Sequence, residues 1–152
     1  MKPTVYFATD HAGFVLKNSL LAYVRDELGY TVVDCGAIVE DSADDYPDYI
    51  SIAAGKIAKS PNDKAVILGG SGQGEAMVAN RYPGVRAVVY YGGPSEIITL
   101  SREHNDANVL SLGARFMNEE EAKDAVRTWL EGSFCADQRH IRRIKKIDHL
   151  TP

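Results

Sequence analysis

The chain has 152 residues, 45% apolar and 25% charged, the make-up of an ordinary soluble globular protein with one hydrophobic core. A formal net charge of -4 argues against a general nucleic-acid binder, and no apolar run approaches the roughly 20 residues that span a bilayer. Cys35 and Cys135 lie far apart with no metal-ligand spacing, so reduced thiols in a cytoplasm are the simplest account.

The opening Met1-Lys2-Pro3-Thr4-Val5-Tyr6-Phe7 runs straight into a strand-like segment without a cleavable signal pattern, which sets the expectation of a cytoplasmic protein. Residues 4–8 read as the first of five short buried strands, the others being 31–33, 65–68, 87–90 and 109–112. Between the first two, Phe14, Leu20, Leu21, Val24 and Leu28 recur at helical steps. Segment 36–46 is acidic and irregular, a surface loop of a length that is often functional. Pro47 then suits a first helical turn, followed by Ile50, Ala53, Ala54 and Ile57 on one face. Ala122, Ala125, Val126, Trp129 and Leu130 predict another helix ending near Gly132, and a last one covers about 136–149.

Strand and helix alternate throughout, without repeat or linker, so the whole of 1–152 is expected to be one α/β domain. Its five-stranded parallel sheet would carry helices on both faces, plus a C-terminal helix. Ligands of such sheets bind at the carboxyl ends of the strands. That rule selects Asp10 and His11, Cys35 and Gly36, 69–75, 91–94 and 113–115.

After the third strand comes Gly69-Gly70-Ser71-Gly72-Gln73-Gly74-Glu75, then helix-forming residues through Asn80. Glycines let backbone N–H groups approach a ligand, and a helix start favours an anion. The run is neither a Walker loop nor the dinucleotide fingerprint. Its bland reading is a tight turn that needs glycine for packing. Ser71 and Glu75 favour a site: a hydroxyl that can relay protons stands beside a carboxylate near a helix start. A carboxylate ionised yet desolvated is what a carbon-acid base requires. The plain alternative for Glu75 is an exposed first-turn acid, and for Asp10 a helix N-cap.

His104-Asn105-Asp106 lies between the fourth helix and the fifth strand, in a polar tract. The last helix carries Arg139, Arg142, Arg143, Lys145 and Lys146. Arg139 and Arg143 share a face and could grip a phosphate; equally, such residues offset the helix dipole. His11, His104 and His140 show no metal-ligand spacing, so no metal is expected. Cys35 reads as a small buried residue.

In order and spacing, several motifs resemble the ribose-5-phosphate isomerase B family, which includes galactose-6-phosphate isomerase subunits. They are Asp10-His11-Ala12-Gly13 with Lys17, Asp45-Tyr46-Pro47-Asp48-Tyr49, Gly70-Ser71-Gly72-Gln73-Gly74-Glu75, Ala79-Asn80, Gly84-Val85-Arg86-Ala87, His104-Asn105-Asp106-Ala107-Asn108, and Gln138-Arg139-His140 with Arg143. The resemblance covers nearly the whole chain. It implies a Rossmann-like three-layer fold. It also implies metal-free interconversion of ribose 5-phosphate and ribulose 5-phosphate, without a cofactor, in homodimers or dimers of dimers with shared active sites.

Many members carry a cysteine base where this chain has Gly69. A second branch uses the glutamate of Gly-Ser-Gly-x-Gly-Glu, which this chain resembles, so Glu75 inherits the role of base. Ser71 would assist, and N–H groups from Gly70 through Gly72 to Gly74 would form an anion hole. His104 would help open the sugar ring, while Asp10, Tyr46 and Asn105 hold hydroxyls. His11, Arg115, Arg139 and Arg143 would bind the phosphate, some from a partner subunit. Isomerases of allose, galactose or tetrose phosphates, a non-catalytic phosphosugar-binding module and a flavodoxin-like flavin protein are the competing readings.

Overall fold

The computed structural model describes residues 2–150. Five parallel strands form one sheet: β1 (Val5–Thr9), β2 (Val32–Asp34), β3 (Lys64–Gly69), β4 (Ala87–Tyr90) and β5 (Val109–Gly113), in the order β2-β1-β3-β5-β4. Side chains alternate across it, as the two-residue period of a strand requires. Val5, Phe7, Val66, Leu68, Leu110 and Leu112 meet Leu20, Val24, Val126 and Trp129 of α1 (Phe14–Asp26) and α5 (Glu119–Glu131), joined by Ile98 of α4 (Glu96–Glu103). Ala8, Ala65, Ile67 and Val109 meet Ile50, Ala53, Ala54 and Ile57 of α2 (Tyr46–Lys59) and Ala79 of α3 (Gln73–Ala79). The result is a three-layer Rossmann-like sandwich. The last helix, α6 (Gln138–Asp148), stands apart and buries only His140.

Two expectations need correction. The five strands are not all buried: β2 and β4 are the sheet's edges and remain partly exposed, whereas β1, β3 and β5 are covered on both faces. Leu28 lies beyond the end of α1, packing against the core from the turn.

Nor is 36–46 merely a surface loop. Its beginning is stitched to β1, with Thr9 N–H donating to Gly36 O and Ala37 N–H to Thr9 O. Lys17, 0% exposed, donates to both Asp34 carboxylate oxygens at 2.7 and 2.6 Å and to Ala37 O at 2.8 Å. The buried ammonium thus pins the exit of β2 to α1. Lys17→Ala is expected to cost about 2–3 kcal/mol in a denaturant melt. That is less than a fully buried pair would lose, because Asp34 keeps some contact with water. An unchanged midpoint would show that the segment is held by its backbone bonds alone.

Strand order reverses between β1 and β3: β1 has β2 on one side and β3 on the other. The loops leaving β1 and β3 therefore diverge to opposite faces and leave a crevice at their carboxyl ends, the place where such sheets bind ligands.

Candidate active site

Two loops meet in that crevice. Asp10 caps a short 3-10 turn after β1 by accepting from Ala12 N–H at 3.0 Å. Across from it, the glycine-rich turn leaves β3 and enters α3 at Gly72, whose φ of 78° is left-handed and suits glycine. The turn is braced by the end of β5. Ser111 Oγ donates to Gly72 O at 2.6 Å, and Ala114 and Arg115 N–H groups donate to Gly69 O and Gly70 O. Ser71 Oγ accepts from Gln73 N–H at 3.3 Å.

A cavity of about 460 Å³ opens here, within the range of small-molecule sites. Asp10, His11, Tyr46, Gly70, Ser71, Gly74, Glu75 and Arg115 line it, all of them expected from the sequence. Gly72 lies beneath, shaping the turn. Tyr46 enters from the start of α2 and packs so closely on Gly74 that a methyl there would sit 2.5 Å from its hydroxyl.

Glu75 is 4% exposed although it lines a polar cavity. Burial is the main reason its pKa is raised, opposed by a hydrogen bond from its own backbone N–H and reinforced by the nearby Asp10 carboxylate. The result is a carboxylate more basic than one in water, at the mouth of a donor-rich turn.

His11 is held by a residue that sequence reasoning missed. Asp44 Oδ1 accepts from the His11 backbone N–H at 3.1 Å and from its ring Nδ1 at 2.6 Å. Because the acceptor is a carboxylate, Nδ1 carries the proton and Nε2 is left for other partners. The Asp44 hydrogen bond is the leading cause of a raised His11 pKa, with burial and Arg115 opposing. Asp44→Ala is therefore expected to lower the His11 titration midpoint in ring NMR; an unmoved midpoint would assign the shift elsewhere. In the sequence, Asp44 is one acid among Asp41, Asp44, Asp45 and Asp48, and no spacing singles it out. Phe116, which lines the cavity and was not singled out in the sequence, follows Arg115.

Asp10, His11 and Asp44 each bring one potential ligand atom within 4.8 Å of the others. Nδ1 already donates to Asp44, while Asp10 accepts from Ala12 N–H and acts on His11 through its charge.

The remaining expected residues are elsewhere. His104 caps α4 and Asn105 precedes β5, at the amino ends of the strands. Arg86, just before β4, fixes that turn by donating to Asn105 O and Asp106 O. His140 stacks on His104 with centroids 4.2 Å apart, bringing the first turn of α6 to the same place. Arg139 and Arg143 are exposed there, Arg139 lying 3.5 Å from the Asp137 carboxylate. One chain therefore carries two half-sets of groups, at opposite ends of its sheet. Cys35 is buried, as expected, and burial raises its thiol pKa. Among the described residues, no helix is long and apolar enough to cross a membrane.

Comparison with known proteins agrees with the geometry. Residues 5–147 match the model of the ribose/galactose isomerase family. Ribose-5-phosphate isomerase B of Escherichia coli is 38% identical over 143 residues, 94% of this chain and 93% of that protein. The protein of the same name from Mycolicibacterium paratuberculosis is 37% identical over 140 residues, 92% of this chain and 86% of that protein. The crystal structure of ribose-5-phosphate isomerase B from Mycoplasma genitalium with bound ribulose-5-phosphate superposes with a TM-score of 0.92 at 34% identity, covering 99% of this chain and 97% of that one. The family match over 5–147, with sequence and fold shared over most of the length of these relatives, leads to one conclusion: the chain belongs to the ribose/galactose isomerase family.

Proposed function

We propose that this chain interconverts D-ribose 5-phosphate and D-ribulose 5-phosphate through a cis-enediolate, in the cytoplasm, with Glu75 as the base. The observation that carries the reading is a buried carboxylate of raised pKa beside a hydroxyl and a glycine-rich turn in one crevice. Its relatives' names and the ribulose-5-phosphate bound to the Mycoplasma genitalium protein supply the substrate class.

Once the sugar ring is open, the C2 hydrogen is acidic because the C1 carbonyl can take up the charge. Glu75 removes that proton, and the charge moves to O1. Backbone N–H groups of the Gly70–Gly74 turn are suited to stabilise the enediolate as it forms. Ser71 relays a proton between O2 and O1, and protonated Glu75 returns its proton to C1. Asp10 and Tyr46 hold hydroxyls, while His11 and Arg115 attract the phosphate.

The second half-set requires a second copy of the chain. His104, Asn105, Arg139 and Arg143 serve the crevice of a partner in a homodimer or dimer of dimers, His104 in ring opening and the arginines at the phosphate. The separation of the two groups in one chain supports this, as does α6, which offers a face of Ile141, Arg142 and Lys145, continued by Leu150 just beyond it, with little cover of its own.

One carboxylate, one hydroxyl and a donor-lined turn suffice for the chemistry. Ketose formation from ribose 5-phosphate is therefore expected to persist in excess EDTA. No turnover of this sugar, with turnover of a six- or four-carbon aldose phosphate, would move the substrate assignment. Binding without turnover of any would leave a phosphosugar-binding module.

A further inference from the structure

The enclosure of Glu75 has a specific source. Gly69 is the last residue of β3, paired with Gly113 across the ladder, and its φ is not left-handed. Its backbone therefore does not demand glycine. Space does: a methyl built on Gly69 would lie 2.6 Å from Glu75 Oε2 and nearer still to Cδ and Oε1. All three of its nearest neighbours are carboxylate atoms of Glu75. The carboxylate fills the volume that any other residue's Cβ would take.

We infer that Gly69 is the positioning residue for Glu75, its missing side chain forming the seat that holds the carboxylate against the end of β3, facing the cavity. The inference rests on the reading of Glu75 as base. At this corner of the sheet a side chain at 69 and a seated carboxylate at 75 exclude each other. The displaced group is the far end of a flexible side chain, so a substitution here can move the acid without breaking the fold.

Gly69→Ala is the test. A strand accepts alanine, so a cooperative melt near that of the parent protein is expected. Turnover of ribose 5-phosphate should fall by about 100-fold or more, the scale of a misplacement near 1 Å, while KM changes by less than about 3-fold. The acid limb of the rate profile should move to lower pH, because a displaced carboxylate regains water. Unchanged kcat with an unmoved limb would overturn the inference.

Glu75→Ala empties the seat, so adding Gly69→Ala to it should cause no multiplied loss. Multiplied losses would show that Gly69 acts independently of Glu75 and would also overturn it. If Gly69→Ala fails to fold, rescue of folding in the double variant supports the seat, and failure of both overturns it. Should Glu75→Gln retain turnover, the base assignment falls by itself. The seat is then judged by NMR titration of the Glu75 carboxyl, which Gly69→Ala should shift downward and would leave unmoved if the seat were absent.

Discussion

Glu75→Gln is expected to lower kcat on ribose 5-phosphate by about 10³-fold, within the range of a removed general base, with KM changed by less than about 3-fold. The amide keeps the size and shape of the side chain, so the seat beside Gly69 stays filled. What is lost is the ability to accept the C2 proton. Folding should not suffer. A carboxyl whose folded pKa is raised contributes stability below its unfolded pKa and loses it as pH rises through the folded one. Around neutral pH the parent protein therefore carries the cost of a buried charge that the amide lacks, and the variant should melt at no lower temperature. The same shift sets the pH dependence of the parent enzyme: activity should fall on the acid side with a midpoint above the ordinary carboxylate value. A folded Glu75→Gln protein with near-native turnover would remove the base from the mechanism.

The second large effect comes from mixing inactive proteins. Arg139→Ala/Arg143→Ala should lower kcat/KM by about 100-fold or more, since two charge-assisted hydrogen bonds to phosphate are lost. Both side chains are exposed, so the fold should survive. If each crevice takes Glu75 from one subunit and the arginines from the other, a mixed dimer with Glu75→Gln has one doubly impaired site and one intact site. Random reassociation makes half the dimers mixed, so about a quarter of native activity should return. Complementation of this size needs shared sites. A mixture no more active than its parts would mean that each chain completes its own site, contrary to the separation of His104 and Arg139 from the crevice.

Much of this was legible in the sequence because the strands and helices announce themselves by period. Residues 87–90 fall on β4 as read, and the other strands shift by a residue at one or both ends. The carboxyl-end rule then selected Asp10, His11, Glu75 and Arg115 for the crevice, where the fold brings them together. Edge exposure of β2 and β4 was not legible, since a three- or four-residue apolar run looks the same at the edge and the centre of a sheet. Asp44 was hidden for another reason: its role depends on where Lys17 and β1 pin the 36–46 segment, a tertiary fact with no local pattern. The resemblance marked 69 as a position where other members carry cysteine. That the room vacated there is filled by the Glu75 carboxylate is a tertiary fact, set by how α3 folds back on the end of β3.

The most direct test of proton transfer through Glu75 is isomerisation of ribose 5-phosphate in D2O, with the ketose product read by NMR. Glu75 lines an open cavity, so its proton should exchange with solvent during the life of the enediolate. Deuterium at C1 of the product, formed by the parent protein and not by Glu75→Gln, is the predicted result. Deuterium delivered to C1 equally well by Glu75→Gln would contradict it.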